Sequence, residues 1–152
     1  MKELIHEYAQ GYELLRASID GLSEEQMRFR PAPGKWSIHE IIVHVTDSEI
    51  VGLHRFKTVL AEDRPLLTAF DQDKWAAQLR YHELDAGQYL LLFKFLRESF
   101  LPVLSRLTED DWQRVGIHSE AGPMTFAQLL QKYVDHIRDH LRQIERVKAA
   151  MS

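Results

Sequence analysis

From Phe126 to Val147 the large side chains recur at alternating three- and four-residue steps: Phe126, Leu130, Tyr133, Ile137, Ile144 and Val147. That period fits the 3.6 residues per turn of an α-helix and excludes a strand. One stripe is apolar and the rest is charged, so the segment has to bury that stripe against other elements. Thr125 precedes it as an N-cap, and the helix is expected to reach about Ala149. His140 falls on the stripe where an apolar residue belongs, and His136 sits on its edge. A four-residue step carries the helix forward by roughly 6 Å and about 400°, so the two imidazoles share one face. A polar ring facing a core needs partners, because an unpaired buried polar group is costly. The partner is either a structural hydrogen bond or a metal ion, which two imidazoles one turn apart can share.

Three more stretches keep a helical period. Leu4, Ile5, Tyr8, Tyr12, Leu15, Ile19 and Leu22 predict a first helix of roughly five turns, ended by Gly21 and Ser23. Ser23 to Lys35 carries Pro31, Pro33 and Gly34 and reads as an irregular connection, long enough to pack over a site. The run Trp36-Ser37-Ile38-His39-Glu40-Ile41 then holds a capping box, Ser37 with Glu40, and a hydrophobic staple, Trp36 with Ile41. It predicts a second helix from Ile38 to about Ala61. Midway along that helix the large apolar groups give out, at His44, Thr46, Asp47, Ser48, Glu49 and Gly52. An inward face that turns small or polar there predicts a cavity or a polar site. Glu62 to Thr68 reads as a connection, and Asp71 as the cap of a short helix through Leu79. A third long helix is expected from about Ala86 to Leu107, kinked or broken one turn before Pro102. Its aromatic cluster reads as core. Glu109 to Trp112 adds a turn, and Val115 to Pro123 reads as loop or a short extended excursion.

Four long amphipathic segments without repeats or linkers predict an all-α protein. The expected fold is a four-helix bundle with a short extra helix between helices two and three, as a single domain over residues 1–152. The chain has no cysteine, which excludes disulfides, thiolate metal sites and a cysteine nucleophile. Its formal charge of −4 is well mixed in sign, so neither nucleic acid nor an anionic membrane surface is an expected partner. The N-terminus lacks the apolar core of a signal peptide, and the longest apolar run, Tyr89 to Phe93, is too short to span a bilayer. A cytoplasmic protein is expected.

Several site patterns can be set aside. In His39-Glu40-Ile41-Ile42-Val43-His44 the second histidine comes one residue too late for a zinc-protease helix, leaving the rings about 140° apart. Glu-x-x-His occurs once, at Glu3 and His6, where a carboxylate-bridged di-iron bundle needs it twice. Neither a Gly-rich phosphate loop nor Gly-x-Ser-x-Gly is present. What remains is His136 and His140 with a third histidine from another helix. His44 is the best placed, beside the Ile41, Val45 and Ser48 seam. His39, in the first turn, is expected to be exposed; His54 lies nearly three turns beyond His44; His6, His82 and His118 have no positional argument. Asp47, Asp139 and Gln143 stand three residues after His44, His136 and His140 and are placed to hold a ligand's second nitrogen or a water. Otherwise Asp47 and Glu49 belong to a solvated face. Trp36 reads as a core anchor first and a pocket wall second.

Gly34 through Glu49, and Gly122 through Phe126 followed by Asp135 to Ile144, resemble the DinB-like (YfiT-type) family of small helical metalloproteins. The order and helix placement agree over nearly the whole chain. The resemblance implies an up-down-down-up bundle and a divalent metal, commonly nickel or zinc, held by His44, His136 and His140. Some members are thiol-dependent transferases or isomerases that use low-molecular-weight thiols, and homodimers are frequent. Three neutral imidazoles leave an ion its full charge and open positions, able to activate a water or a thiol. The expected function is therefore a metal-dependent enzyme, thiol S-transferase-like or hydrolytic, acting on a small molecule. Trp36 would wall its pocket, and Asp47 or Glu49 would orient the nucleophile or move protons. The alternatives are a non-catalytic metal-binding stress-response or sensor module, and a helical interaction protein whose histidines are hydrogen-bonded without an ion. A structural metal site is usually closed by four protein ligands, and the sequence offers no convincing fourth.

Overall fold

The computed structural model describes residues 1–151. In chain order it holds α1 (Lys2–Ala9), α2 (Gly11–Ile19), α3 (Glu24–Arg28) and α4 (Ile38–Ala61). Then come β1 (Leu66–Leu67), α5 (Gln72–Gln78), a 3-10 turn (Tyr81–Glu83) and α6 (Ala86–Leu104). α7 (Glu109–Trp112), β2 (Val115–His118), β3 (Gly122–Thr125) and α8 (Phe126–Ala149) complete the chain.

The pairing of side chains fixes the helix directions. On α4 and α8, Gly52 meets Tyr133 while His44 meets His136 and His140, so these two helices run antiparallel. On α4 and α6, Thr46 bonds the Tyr89 carbonyl, Glu49 pairs with Arg97 and Phe56 stacks on Phe100, so those two run parallel. The first pair of helices lies along α8 in the same sense, with Glu7 bonded to Arg138 and the Ser18 carbonyl to Lys148. The bundle is thus up-down-down-up, as the resemblance implies. A parallel α4 and α6 need a crossover, and residues 62–85 supply it with β1, α5 and the 3-10 turn.

The helix starts follow local chemistry. Ser37 accepts from the Glu40 amide while the Glu40 side chain accepts from the Ser37 amide, and Thr125 with Gln128 repeats the device for α8. Asp71 caps α5 through the Lys74 amide at 3.0 Å. Elsewhere the sequence expectation needs correction. The single first helix is two helices, and at their junction the Tyr8 carbonyl accepts from Arg97 Nη1 at 2.7 Å as well as from a backbone N–H. Gly11 leaves room for that guanidinium: a Cβ there would lie 2.5 Å from Arg97 Nη1. The connection after it contains α3, started by a Ser23–Gln26 capping box. The break before Pro102 is absent. α6 continues through Pro102 and ends at Leu104, because the proline forfeits one ladder bond on the exposed face of the last turns. The 115–123 segment is a hairpin, with β2 antiparallel to β3 and parallel to β1. This small sheet ends at Thr125, the cap of α8, and carries His118 on its buried side.

Two apolar clusters fill the bundle. One gathers Tyr8, Phe56, Phe100, Phe126 and Leu130; the other gathers Leu15, Ile38, Ile41, Phe93 and Ile144. Between the two clusters α4 buries Thr46, Asp47, Ser48 and Glu49 and α6 buries Arg97, so a polar layer lies inside the bundle. Glu49 and Arg97, 1% and 2% exposed, form an ion pair in it at 2.9 Å. Tyr8 donates its hydroxyl to the other Glu49 oxygen at 2.8 Å, and Arg97 reaches the Tyr133 carbonyl at 3.2 Å. Burial and the neighbouring Glu49 carboxylate push the Tyr8 hydroxyl well above its usual pKa.

α4 and α8 approach closely at Gly52, where a Cβ would stand 2.5 Å from Tyr133 Cε1 and 2.8 Å from Cζ. The Tyr133 ring is buried and its hydroxyl accepts from Arg55 Nη1 at 3.2 Å, so it has little freedom to withdraw. Gly52→Ala should therefore destabilise the protein by about 1–2 kcal/mol, overpacking outweighing the helix propensity that alanine gains. Urea unfolding midpoints of the two proteins measure this; an unchanged or raised midpoint would mean the helices separate freely here.

Candidate metal centre

His44 projects from the second turn of α4, and His136 and His140 from successive turns of α8. Ring centroids lie 5.3 Å apart for His44 and His136, 4.8 Å for His44 and His140, and 4.4 Å for His136 and His140. One nitrogen from each ring can be chosen so that all three lie within 4.8 Å of one another. The two α8 rings face each other through Nε2 at 3.0 Å. His44 is fully buried, and neither of its nitrogens has a hydrogen-bond partner. That is an expensive arrangement for an imidazole on its own. It fits a ring that gives a lone pair to a cation. His44, His136 and His140 would hold such an ion together, one nitrogen from each ring.

The protonation states agree with that fit. Burial, and next the neighbouring His140, hold His44 down at about 3. Burial, then His140 and His44, hold His136 at about 2, and burial lowers His140 as well. All three are neutral at pH 7, the form that binds a metal. The Gln143 Oε1 sits 2.7 Å from His140 Nδ1. An amide oxygen can only accept, so it keeps the His140 proton on Nδ1 and turns the Nε2 lone pair toward the other rings. Trp36 stands against His44 with ring centroids 4.7 Å apart. The staple residue at the start of α4 is thus also a wall of the histidine cluster.

The titrations carry a sign for the metal-free protein. Unfolded histidines have a pKa near 6.5, whereas folded His44 and His136 take up protons only near 3 and 2. Between those limits the unfolded chain binds protons that the folded chain refuses. Stability should therefore be flat above pH 6.5 and fall as pH drops below it, by roughly 1 kcal/mol per pH unit for each ring. Denaturant midpoints of chelator-treated protein from pH 7.5 to 4.5 read this slope; a level profile would show the rings to be solvated.

Other expected residues are placed differently. His39 is 3% exposed, not at the surface, because the α3 segment and the loop before α6 pack over the start of α4. Asp47 and Glu49 are 8% and 1% exposed, so neither belongs to a solvated face. The Asp47 carboxylate accepts from the Tyr81 hydroxyl at 2.7 Å and holds no histidine nitrogen. Burial raises its pKa against the opposing effect of that bond. Glu49 is occupied by Arg97 and Tyr8. Asp139 is engaged with Arg142 at the surface, at 2.7 Å. His118 takes the backbone N–H groups of Glu120 and Ala121 on its Nδ1, both at 3.1 Å. Among the described residues, no helix is long and apolar enough to cross a membrane.

A parallel-crossover four-helix bundle with three neutral histidines converging at mid-height defines a class of helical proteins built to hold a divalent metal ion. The DinB superfamily pattern matches residues 7–144, and the chain belongs to that superfamily. A Bacillus licheniformis protein named "Putative metal-dependent hydrolase" is 30% identical over 152 residues, which is 99% of this chain and 86% of that one. An Oceanobacillus iheyensis protein of the same description is 27% identical, over 94% of this chain and 84% of its own. Among solved structures, YfiT from Bacillus subtilis, described as a probable metal-dependent hydrolase with an unusual four-helix bundle topology, superposes with a TM-score of 0.91. It is 22% identical, covering 99% of this chain and 86% of that one. The mycothiol-dependent maleylpyruvate isomerase superposes with a TM-score of 0.73 at 12% identity, over 94% of this chain and 60% of its own. At these identities the two structures speak for the fold alone.

Proposed function

We propose that this protein is a metal-dependent enzyme in which His44, His136 and His140 hold a divalent ion, nickel or zinc, that activates a water or a small thiol against an electrophilic substrate. The observation that carries this reading is the donor count. Three neutral nitrogens converge, and among the described residues no other histidine and no carboxylate joins the group. A structural site would be closed by a fourth side chain, whereas a three-histidine site keeps room for a reactant. When bound, the ion supplies Lewis acidity, which brings the pKa of a water or thiol toward neutrality. The residues of the chain supply the rest. Gln143 fixes the His140 tautomer, Trp36 shields His44 from water, and Glu49 with Arg97 anchors the layer in which the histidines stand. The names of the sequence relatives favour water as the nucleophile, and the family resemblance, with its thiol-dependent members, favours a thiol. Exposed Leu91, Leu92 and Phe95 on α6 offer a face for the homodimer expected from the family resemblance.

The test is turnover. Protein purified without an affinity tag is offered ester and amide substrates, and separately electrophiles together with a panel of cellular thiols. Metal-dependent product formation that disappears in His140→Ala supports the reading and identifies the nucleophile. A full equivalent of metal without turnover in either assay would instead favour a non-catalytic stress-response or sensor module.

A further inference from the structure

Next to the histidine cluster lies a small cavity of about 180 Å³, built by four separate parts of the chain. α4 contributes Ser48 and Arg55, the segment after β1 contributes Phe70, β2 contributes His118, and α8 contributes Lys132, Tyr133 and His136. His136 belongs to both the cavity and the three-histidine group, so whatever fills the cavity touches the wall of the proposed metal centre.

The chemistry of this lining is one-sided. Arg55 is 6% exposed, yet among the described residues no carboxylate pairs with it. Its Nη1 donates to the Tyr133 hydroxyl at 3.2 Å and its Nη2 to the Thr68 carbonyl at 2.6 Å, both neutral acceptors. Its Nε–H is buried and has no partner. A buried guanidinium without a counter-charge is costly, and proteins keep one where an anion is to be received. Lys132 stands at the solvent edge of the same cavity, and partial burial and then the Arg55 charge lower its pKa. Burial, Lys132 and Arg55 likewise lower that of His118, with the Glu120 carboxylate opposing the shift at both groups. Its Nδ1 already accepts two backbone N–H groups, so the ring proton lies on Nε2 and the ring is a donor. Glu120, at the exposed turn of the hairpin, is the one carboxylate in the lining.

We infer that this cavity is an oxyanion subsite, in which Arg55 and Lys132 bind a carboxylate or phosphate group carried by the substrate of the adjacent three-histidine centre. The inference rests on the metal reading for the word substrate, but the anion site itself does not. A cavity of this size has room for a charged group of several atoms. The group would enter past Lys132 and stop at Arg55, which orients the remainder of the molecule toward His136. Substrates without an oxyanion would lose that register.

Calorimetric titration with inorganic phosphate and, separately, with succinate tests the site and tells the two anion types apart. Each titration is run on the protein as purified and again after chelator treatment, so that binding to an ion is separated from binding to the cavity. Saturable binding of either anion is expected in both preparations, weakening as KCl is raised. Arg55→Gln should weaken it by about tenfold or more, as for a hydrogen bond to a charged group. Lys132→Gln, at the exposed rim and harmless to folding, should weaken it by roughly threefold. The amide signals of Glu120 and Ala121 should shift on titration, because they report on His118. Absence of saturable binding in both preparations, or affinity unchanged in both variants, overturns the subsite. Anion binding by a parent protein that takes up no divalent ion when one is offered would keep the subsite and sink the metal reading; metal uptake without anion binding would do the reverse.

Discussion

Replacing His44 with alanine is expected to abolish metal binding, lowering affinity by more than about 100-fold, since loss of a mere supporting partner already costs 10–100-fold. His44 is the only donor that α4 brings to the cluster, and α8 alone supplies just two. His140→Ala should act the same way. His39→Ala is the control. It removes another buried histidine of α4, with an unpartnered Nε2, but that ring is not part of the converging group. Elemental analysis of untagged protein should find about one equivalent of a divalent ion in the parent and in His39→Ala, and little in the other two. Full occupancy in His44→Ala would show that the ion, if any, lies elsewhere.

The second large effect is on folding. Arg97→Met should cost about 3–5 kcal/mol, because it strands the buried Glu49 carboxylate without its cation. It also takes one donor from each of the Tyr8 and Tyr133 carbonyls and removes the guanidinium from over the Tyr8 and Phe93 rings, 4.1 Å and 4.8 Å away. The double variant Glu49→Leu with Arg97→Met should be less damaged than Arg97→Met alone, since no uncompensated charge remains. Urea denaturation of the four proteins closes the cycle. If the double variant loses the sum of both singles, Glu49 and Arg97 do not act as a pair.

The parts of this architecture that rest on local rules were legible in the chain. Ser37 with Glu40, Asp71 and Thr125 mark helix starts because a capping side chain and its amide lie within three residues of each other. Helical phase and seam put His136 and His140 on one face and made His44 the best-placed third histidine, and the family resemblance pointed to the same three. The polar middle of α4 was equally readable, and it is where the buried layer lies. What escaped depends on partners far away in sequence. β1 is two residues long and pairs with a strand some fifty residues later, a contact without a local signature. Glu49 looked like a surface acid because its cation sits on α6. The signal for that cation was present, however: Arg97 fills the gap between Phe93 and Phe100 on a stripe that is otherwise aromatic. Charge at a core position asks for a buried counter-charge, just as His140 asked for a partner. Arg55 carries the same mark between Leu53 and Phe56, and its neighbours His118 and Lys132 could not be gathered to it without the fold.

The missing side chain at position 52 has a further consequence. It lets one helix rest directly on the Tyr133 ring of its neighbour, and these are the same two helices that carry the imidazoles to their meeting point. A change in helix spacing at that contact would reach the imidazoles through the two rigid helices that hold them.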